Sequence, residues 1–215
     1  MGASSNFGNM FSVIGASAWL PYLPMSPVQV LTNNLLYDFS QVPIPTDNVG
    51  PQQTAKPRPW QIGEIAKFIV FIGPISSIFD YTTYAIMWFV FKCNHVGITP
   101  DLVARYGTDA ADHTYSAALF HTGWFVESLM TQTLIIHVIR TNLIPFIQSR
   151  ASWQLTLTTV LIMAFGAYLP FSALAGPLGF VALPVLYWPI LLATLLSYVG
   201  LTQLIKMWLI RKAWV

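Results

Sequence analysis

Residues 27–45, 65–91, 117–139, 153–173 and 184–210 of this chain each form a run of mainly apolar residues. Each run has about the twenty-residue length that a helix needs to cross the hydrocarbon core of a bilayer. A shorter run, residues 4–23, precedes them. One such segment can be the buried core of a water-soluble domain, but six in 215 residues leave almost nothing polar to face water. Only 8% of the residues are charged, against about 25% in soluble domains. The expected fold class is therefore an all-α membrane protein, a single transmembrane domain over residues 1–215 built as a bundle of about six helices. The N-terminus has no basic segment ahead of its apolar residues, which argues against a signal peptide. The apolar pattern is already under way within ten residues of Met1. This reads as a chain that begins inside a helix, with its first span truncated.

Proline punctuates the first two spans. Pro21, Pro24 and Pro27 make their connection tight, and Pro43 and Pro45 stop or unwind the second span early, because proline lacks an N–H and cannot continue a helix. Short, broken spans are where transporters tend to place ion sites. The basic residues set the orientation. Lys56, Arg58 and Lys67 lie around the second connection, Arg140 and Arg150 around the fourth, and Lys206, Arg211 and Lys212 near the C-terminus. These are eight of the ten basic residues. The excess of Lys and Arg on the cytoplasmic side of membrane proteins then predicts six crossings and a cytoplasmic C-terminus. The stiff basic stretch Lys56-Pro57-Arg58-Pro59-Trp60 is placed to lie against anionic headgroups. With one cysteine, Cys93, the chain has no internal disulfide and no cysteine-based zinc site. Net charge is +2, which gives no footing for nucleic acid.

An ionisable side chain within a span costs about 2.5–3.5 kcal/mol on insertion scales and so points to function. Asp38, Asp80 and Glu127 qualify. Asp38 follows Asn34 by four residues, which puts carboxylate and carboxamide on one helix face near the Pro43/Pro45 break. Asn6 and Asn9 are neighbours at i, i+3 in the preceding span. Two helices can thus present four oxygen-bearing side chains to one cavity, the donor type preferred by hard cations such as Mg²⁺ and Ca²⁺. The competing reading is that the asparagines hydrogen-bond helices to each other. Asp80 shares its face with Ser76, Ser77, Thr83 and Tyr84, so its hydrogen bonds are expected within its own helix. Glu127, with Thr131 one turn on and His121 nearby, reads as a supporting group behind the ligands, a proton carrier or packing glue. His121 and His137 read as satisfied or interfacial histidines, and the eight tryptophans as interfacial belts. There is no Gly-rich nucleotide loop, hydrolytic triad order or aspartyl-phosphate motif.

Taken together, Ser5-Asn6-Phe7-Gly8-Asn9, Asn34-Leu35-Leu36-Tyr37-Asp38, Ser77-Ile78-Phe79-Asp80 and Trp124-Phe125-Val126-Glu127-Ser128 resemble helices five to ten of P-type ATPases. The similarity spans nearly the whole chain. It is greatest to the bacterial magnesium-translocating members, through Asn9, Tyr37-Asp38-Phe39-Ser40-Gln41, the segment from Gly73 to Asp80, and the segment from Thr133 to Gln148. The resemblance implies that Asp38 and Asn34 line a cation site from one helix and Asn6 and Asn9 from the one before, with Glu127 and Asp80 in support. Calcium and sodium/potassium pumps carry an acid at the position of Asn9. The neutral residue here implies a site for one ion still partly hydrated, as Mg²⁺ prefers. The resemblance also implies Mg²⁺ import across the bacterial inner membrane, driven by ATP through an N-terminal part of the pump. That part would hold the actuator, phosphorylation and nucleotide domains and helices one to four. The chain by itself is expected to lack ATPase activity. Two other readings of the residues remain: a stand-alone secondary transporter or channel using the three acids as a relay, and a membrane remnant that moves no ion.

Overall fold

The computed structural model describes residues 2–48, 62–141 and 143–211, and among them the architecture is entirely helical. The principal helices are α1 (Gly2–Ser17), α2 (Pro27–Gln41), α3 (Ile62–Ala85), α4 (Pro100–Tyr106), α5 (Tyr115–Ile139), α6 (Trp153–Tyr168) and α7 (Tyr187–Arg211). Six are long, and α4 is a short helix in the connection between α3 and α5. The basic stretch Lys56–Trp60, like Lys212, falls outside the described residues.

The ends of these helices follow from their residues. At the start of α2, the Ser26 hydroxyl accepts from the Gln29 backbone N–H while the Gln29 side chain accepts from the Ser26 N–H, with Pro27 in the first turn. This reciprocal cap satisfies two donors that a helix start otherwise leaves open. Gln29 also donates through Nε2 to the carbonyl of Leu178 at 2.9 Å, tying the start of α2 to the connection between α6 and α7. Thr114 and Ser152 cap α5 and α6 in the same way through their hydroxyls. α2 ends at Gln41. Val42 and Pro43 follow it, and then a single 3₁₀ turn, Ile44–Thr46.

α5 is the hub, packed against α2, α3, α6 and α7. Its side chains are buried on nearly every face from Ala117 to Val138. A helix enclosed on all sides can carry polar groups around its whole circumference, because neighbouring helices rather than lipid must satisfy them. The outer helices differ. α6 and α7 expose Leu157, Val160, Leu161, Leu192, Leu196 and Leu204. By length and hydropathy, Trp153–Phe171 and Tyr187–Leu209 qualify among the described residues as membrane spans. α1 and α2 are 16 and 15 residues long, and the polar side chains of α5 lower its hydropathy.

α1 lies closest to α3. A Cβ at Gly8 would stand 2.7 Å from the Gly73 carbonyl oxygen and closer still to the Ser76 hydroxyl. A Cβ at Gly15 would run into the Tyr81 ring. The space left by the glycines admits two bonds between the helices: Ser77 Oγ donates to the Gly8 carbonyl at 2.9 Å, and Tyr81 OH donates to the Phe11 carbonyl at 2.8 Å. This is the small-residue mode of helix association found in membranes. Gly8→Val is expected to force α1 off α3 and cost about 1–3 kcal/mol. Thermal unfolding of the detergent-solubilised protein measures it, with Met10→Val, at an exposed position of the same helix, as the silent control.

At one end of the bundle the segment after α2 is tied to the connection between α5 and α6. Arg140 Nη1 meets Asp47 Oδ2 at 2.6 Å, with both side chains nearly enclosed. Arg140 Nη2 donates to Ser149 Oγ at 3.0 Å, and Asp47 Oδ1 accepts from the Ser152 N–H at 2.7 Å. Nearby, Lys206 on α7 donates from Nζ to the carbonyls of Val138, Thr141 and Leu143 at 2.8, 3.0 and 3.2 Å. A cation at this place suits the carbonyl end of α5.

Candidate cation site

α1, α2 and α5 enclose a cavity of about 40 Å³ whose polar lining is Asn9 from α1, Asn33 and Asn34 from α2, and Trp124 and Ser128 from α5. Asn9 and Asn34, which the sequence pairs across two helices, therefore line one space. Asn33 is buried, and its Nδ2 donates to the Phe125 carbonyl at 3.4 Å. Its Oδ1 has no hydrogen-bond donor. At the roughly 10–15 Å³ of such space that one water needs, a cavity of this size holds one ion with only part of its water shell. The donors on its wall are neutral amide and hydroxyl oxygens, the ligand type of hard divalent cations. Among the described residues no three His, Cys, Asp or Glu side chains are grouped to hold a metal.

Asp38 does not line this cavity. It lies one turn beyond Asn34 on a face of α2 that is exposed, alongside Leu31, Leu35, Phe39 and Val42. The buried face of α2 runs through Gln29, Asn33, Leu36, Tyr37 and Ser40, and the row from Asn34 to Asp38 is its margin. Asn6 is in α1, but its side chain lies outside the described residues. Sequence reasoning missed Asn33 and Ser128. The available signal was positional: Asn33 shares a helix face with Gln29 and Tyr37 at spacings of four, so it is a polar residue in a buried row.

The two other acids lie together deep in the bundle. Asp80 accepts from the Ser12 hydroxyl at 2.5 Å and from Trp124 Nε1–H at 2.8 Å. These partners come from α1 and α5, which corrects the expectation that Asp80 is satisfied within its own helix. Ser76 and Ser77 bond backbone carbonyls instead. The Glu127 carboxyl lies close to that of Asp80, yet neither Glu127 oxygen receives a donor. Both statements hold because two carboxylates are acceptors only. Their contact is satisfied when a proton or a cation lies between them. Trp124 thus connects the two polar centres, since its ring lines the amide cavity and its N–H holds Asp80. It is buried in the bundle, unlike an interfacial tryptophan.

The two buried histidines are satisfied within the protein. His121 Nε2 bonds the Leu23 carbonyl at 2.5 Å and His137 Nε2 bonds Thr159 Oγ1 at 2.8 Å. Cys93 is buried beside the end of α3, and burial pushes its thiol up to about 12, which makes it unreactive.

A helical membrane bundle with an oxygen-lined cavity between its first two helices and its central one is the kind of structure that carries cations across a bilayer. Residues 22–208 match the family model described as cation transporting ATPase, C-terminus, and the chain belongs to that family. Over 206 residues, 96% of the chain, it is 52% identical to a magnesium-transporting ATPase, P-type 1, of Salmonella typhimurium, and 51% identical to the Escherichia coli K12 protein of the same description. A further Salmonella typhimurium protein so described is 47% identical over 212 residues, 99% of the chain. The chain spans 21% of the length of these curated relatives. It is a multi-pass membrane protein homologous to the cation-transporting region of such pumps.

Proposed function

We propose that this chain forms the ion site and pathway of a magnesium-importing P-type ATPase of the bacterial inner membrane. Six crossings would leave the C-terminus in the cytoplasm, and ATP would be used by domains outside these 215 residues. The convergence of Asn9 and Asn34 on one cavity is the observation that carries this reading. The identity to magnesium-transporting pumps supports Mg²⁺ as the cargo. Asn9, Asn34 and Asn6 supply neutral oxygens, and Asp38 supplies the charge from the adjoining face of α2. That exposed, mainly apolar face packs in the intact pump against helices one to four, which bring Asp38 its partners and close the site. Glu127 and Asp80 stand behind the site as an acidic reserve coupled to it through Trp124. A stand-alone transporter or channel is not favoured, since the match is to one region of much longer pumps.

In the full-length protein carrying this chain, Asp38→Asn is expected to abolish Mg²⁺-stimulated ATP hydrolysis, and Asn9→Ala to raise the half-saturating Mg²⁺ concentration about tenfold, a loss of about 1.4 kcal/mol of ion stabilisation. Mg²⁺-stimulated hydrolysis by the purified protein is the measurement. Unchanged activity of Asp38→Asn would remove the site assignment.

A further inference from the structure

A second and larger cavity, of about 410 Å³, opens at the end of the bundle where α2 and α5 begin. It carries Asp109 and Asp112 at its rim, Gln29 from α2 and His121 from α5. On the orientation proposed above this is the exoplasmic end. Among the described residues none lines both cavities, but α2 and α5 contribute to each. On α5 the lining passes from Ala118 and His121 in the outer cavity to Trp124 and Ser128 in the inner one, and on α2 from Gln29 to Asn33. Four residues of helix rise about 6 Å, so about one turn separates the spaces.

Their sizes differ in a way that matters to a divalent cation. On one and the same measure the outer cavity is about 410 Å³ and the inner about 40 Å³. At the roughly 10–15 Å³ of such space that one water needs, the outer has room for a full shell of six waters and the inner for about half of one. An ion passing inward must exchange much of its water for protein oxygens, and Mg²⁺ sheds water reluctantly. A buried oxygen without a donor stands where the exchange would occur: Asn33 Oδ1, whose own amide nitrogen is held by the Phe125 carbonyl. Gln29 cannot serve there. Its Oε1 accepts from the Ser26 N–H and its Nε2 donates to Leu178 and Gly179, so it forms a rigid wall.

We propose that the outer cavity receives a hydrated divalent cation, drawn by Asp109 and Asp112, and that the ion enters the Asn9/Asn34 cavity along the seam between α2 and α5 with Asn33 Oδ1 as its first protein ligand. The proposal rests on the ion-site reading above. Asp112 holds the Leu23 N–H through Oδ1 at 2.6 Å, a bond that asparagine retains, so Asp109→Asn/Asp112→Asn removes charge and leaves the loop intact.

The test uses the full-length protein in sealed vesicles with external Mg²⁺. The double variant is expected to raise half-saturating Mg²⁺ about threefold at low ionic strength, with the difference gone near 0.5 M salt, as for charges about 10 Å from the ion. Asn33→Ala is expected to raise it about tenfold at any salt. Because Asn33 is also buried, a second reading avoids the core. Val28→Cys places a thiol on the exposed wall of the outer cavity, while Cys93, the chain's own thiol, is buried. External Mg²⁺ should slow labelling of Val28→Cys by an impermeant cationic thiol reagent. If the labelling rate ignores Mg²⁺ and the double variant shows no salt-dependent shift while Asp38→Asn still abolishes activity, the entry route is wrong and the ion site stands. If Asp38→Asn also behaves as the parent, both fall.

Discussion

Glu127→Gln is expected to cut Mg²⁺-dependent turnover of the full-length protein at least about tenfold, a loss of about 1.4 kcal/mol, while raising its thermal stability. The opposite signs follow from the contacts. Glu127 is enclosed by protein and neither of its oxygens receives a hydrogen bond. A buried polar group left so costs about 1–3 kcal/mol. Glutamine has the same shape and supplies an N–H toward Asp80, so the amide relieves the acceptor-on-acceptor contact. It also removes the charge that would make the pair attractive to a cation. Asp80→Asn is expected to behave differently. Asp80 already receives donors from Ser12 and Trp124, so the amide gives one of them an N–H in place of an oxygen, and stability falls. Thermal unfolding and ATP hydrolysis on the same preparations separate the two residues. Should Glu127→Gln destabilise as much as Asp80→Asn, Glu127 is packing glue and has no part in moving the ion.

The second large effect lies at the Asp47–Arg140 pair. Alanine at either position is expected to destabilise the fold by about 3–5 kcal/mol, the usual consequence of stranding one member of an enclosed ion pair. The side chains are 10% and 6% exposed, so the loss should persist at high salt, where a solvent-facing pair would already be screened. Removing both partners should cost clearly less than the two single losses combined, because no charge is then left unpaired. Midpoints of the two single variants and the double one give the coupling directly. Simple additivity of the three values would show that the pair acts as two separate surface charges.

Neither the charge pair nor the contact between Asp80 and Glu127 was legible in the sequence. Both join residues far apart in the chain: Asp47 and Arg140 are separated by 93 positions and Asp80 and Glu127 by 127 − 80 = 47, and the donors that hold Asp80, on Ser12 and Trp124, lie 68 and 44 positions from it. The residues around Asp80 at helical spacing looked sufficient for it, but mid-helix Ser and Thr hydroxyls readily turn back to carbonyls of their own helix, as Ser76 and Thr82 do. That left the carboxylate to partners on other helices. The six long helices, by contrast, were legible because apolar runs of bilayer length separated by proline- and charge-bearing connections admit few other arrangements.

Apolar run length and helical period set the class of fold, a membrane bundle of about six helices, and which side chains share a helix face. Asn34 stands with Asp38, and Asn6 with Asn9, because helical period is a local property of the backbone. What each face looks upon is set by how the helices pack. Successive i, i+4 positions drift about 40° around a 3.6-residue helix, so the row from Asn34 to Asp38 starts at the amide cavity and ends on the exposed side of α2. Asn33, one position earlier, points into the protein and leaves an unpartnered oxygen there. Which helix lies opposite is set by close packing, by the room Gly8 and Gly15 leave for α3 and by the enclosure of α5 on all sides, and no spacing within one helix contains that information.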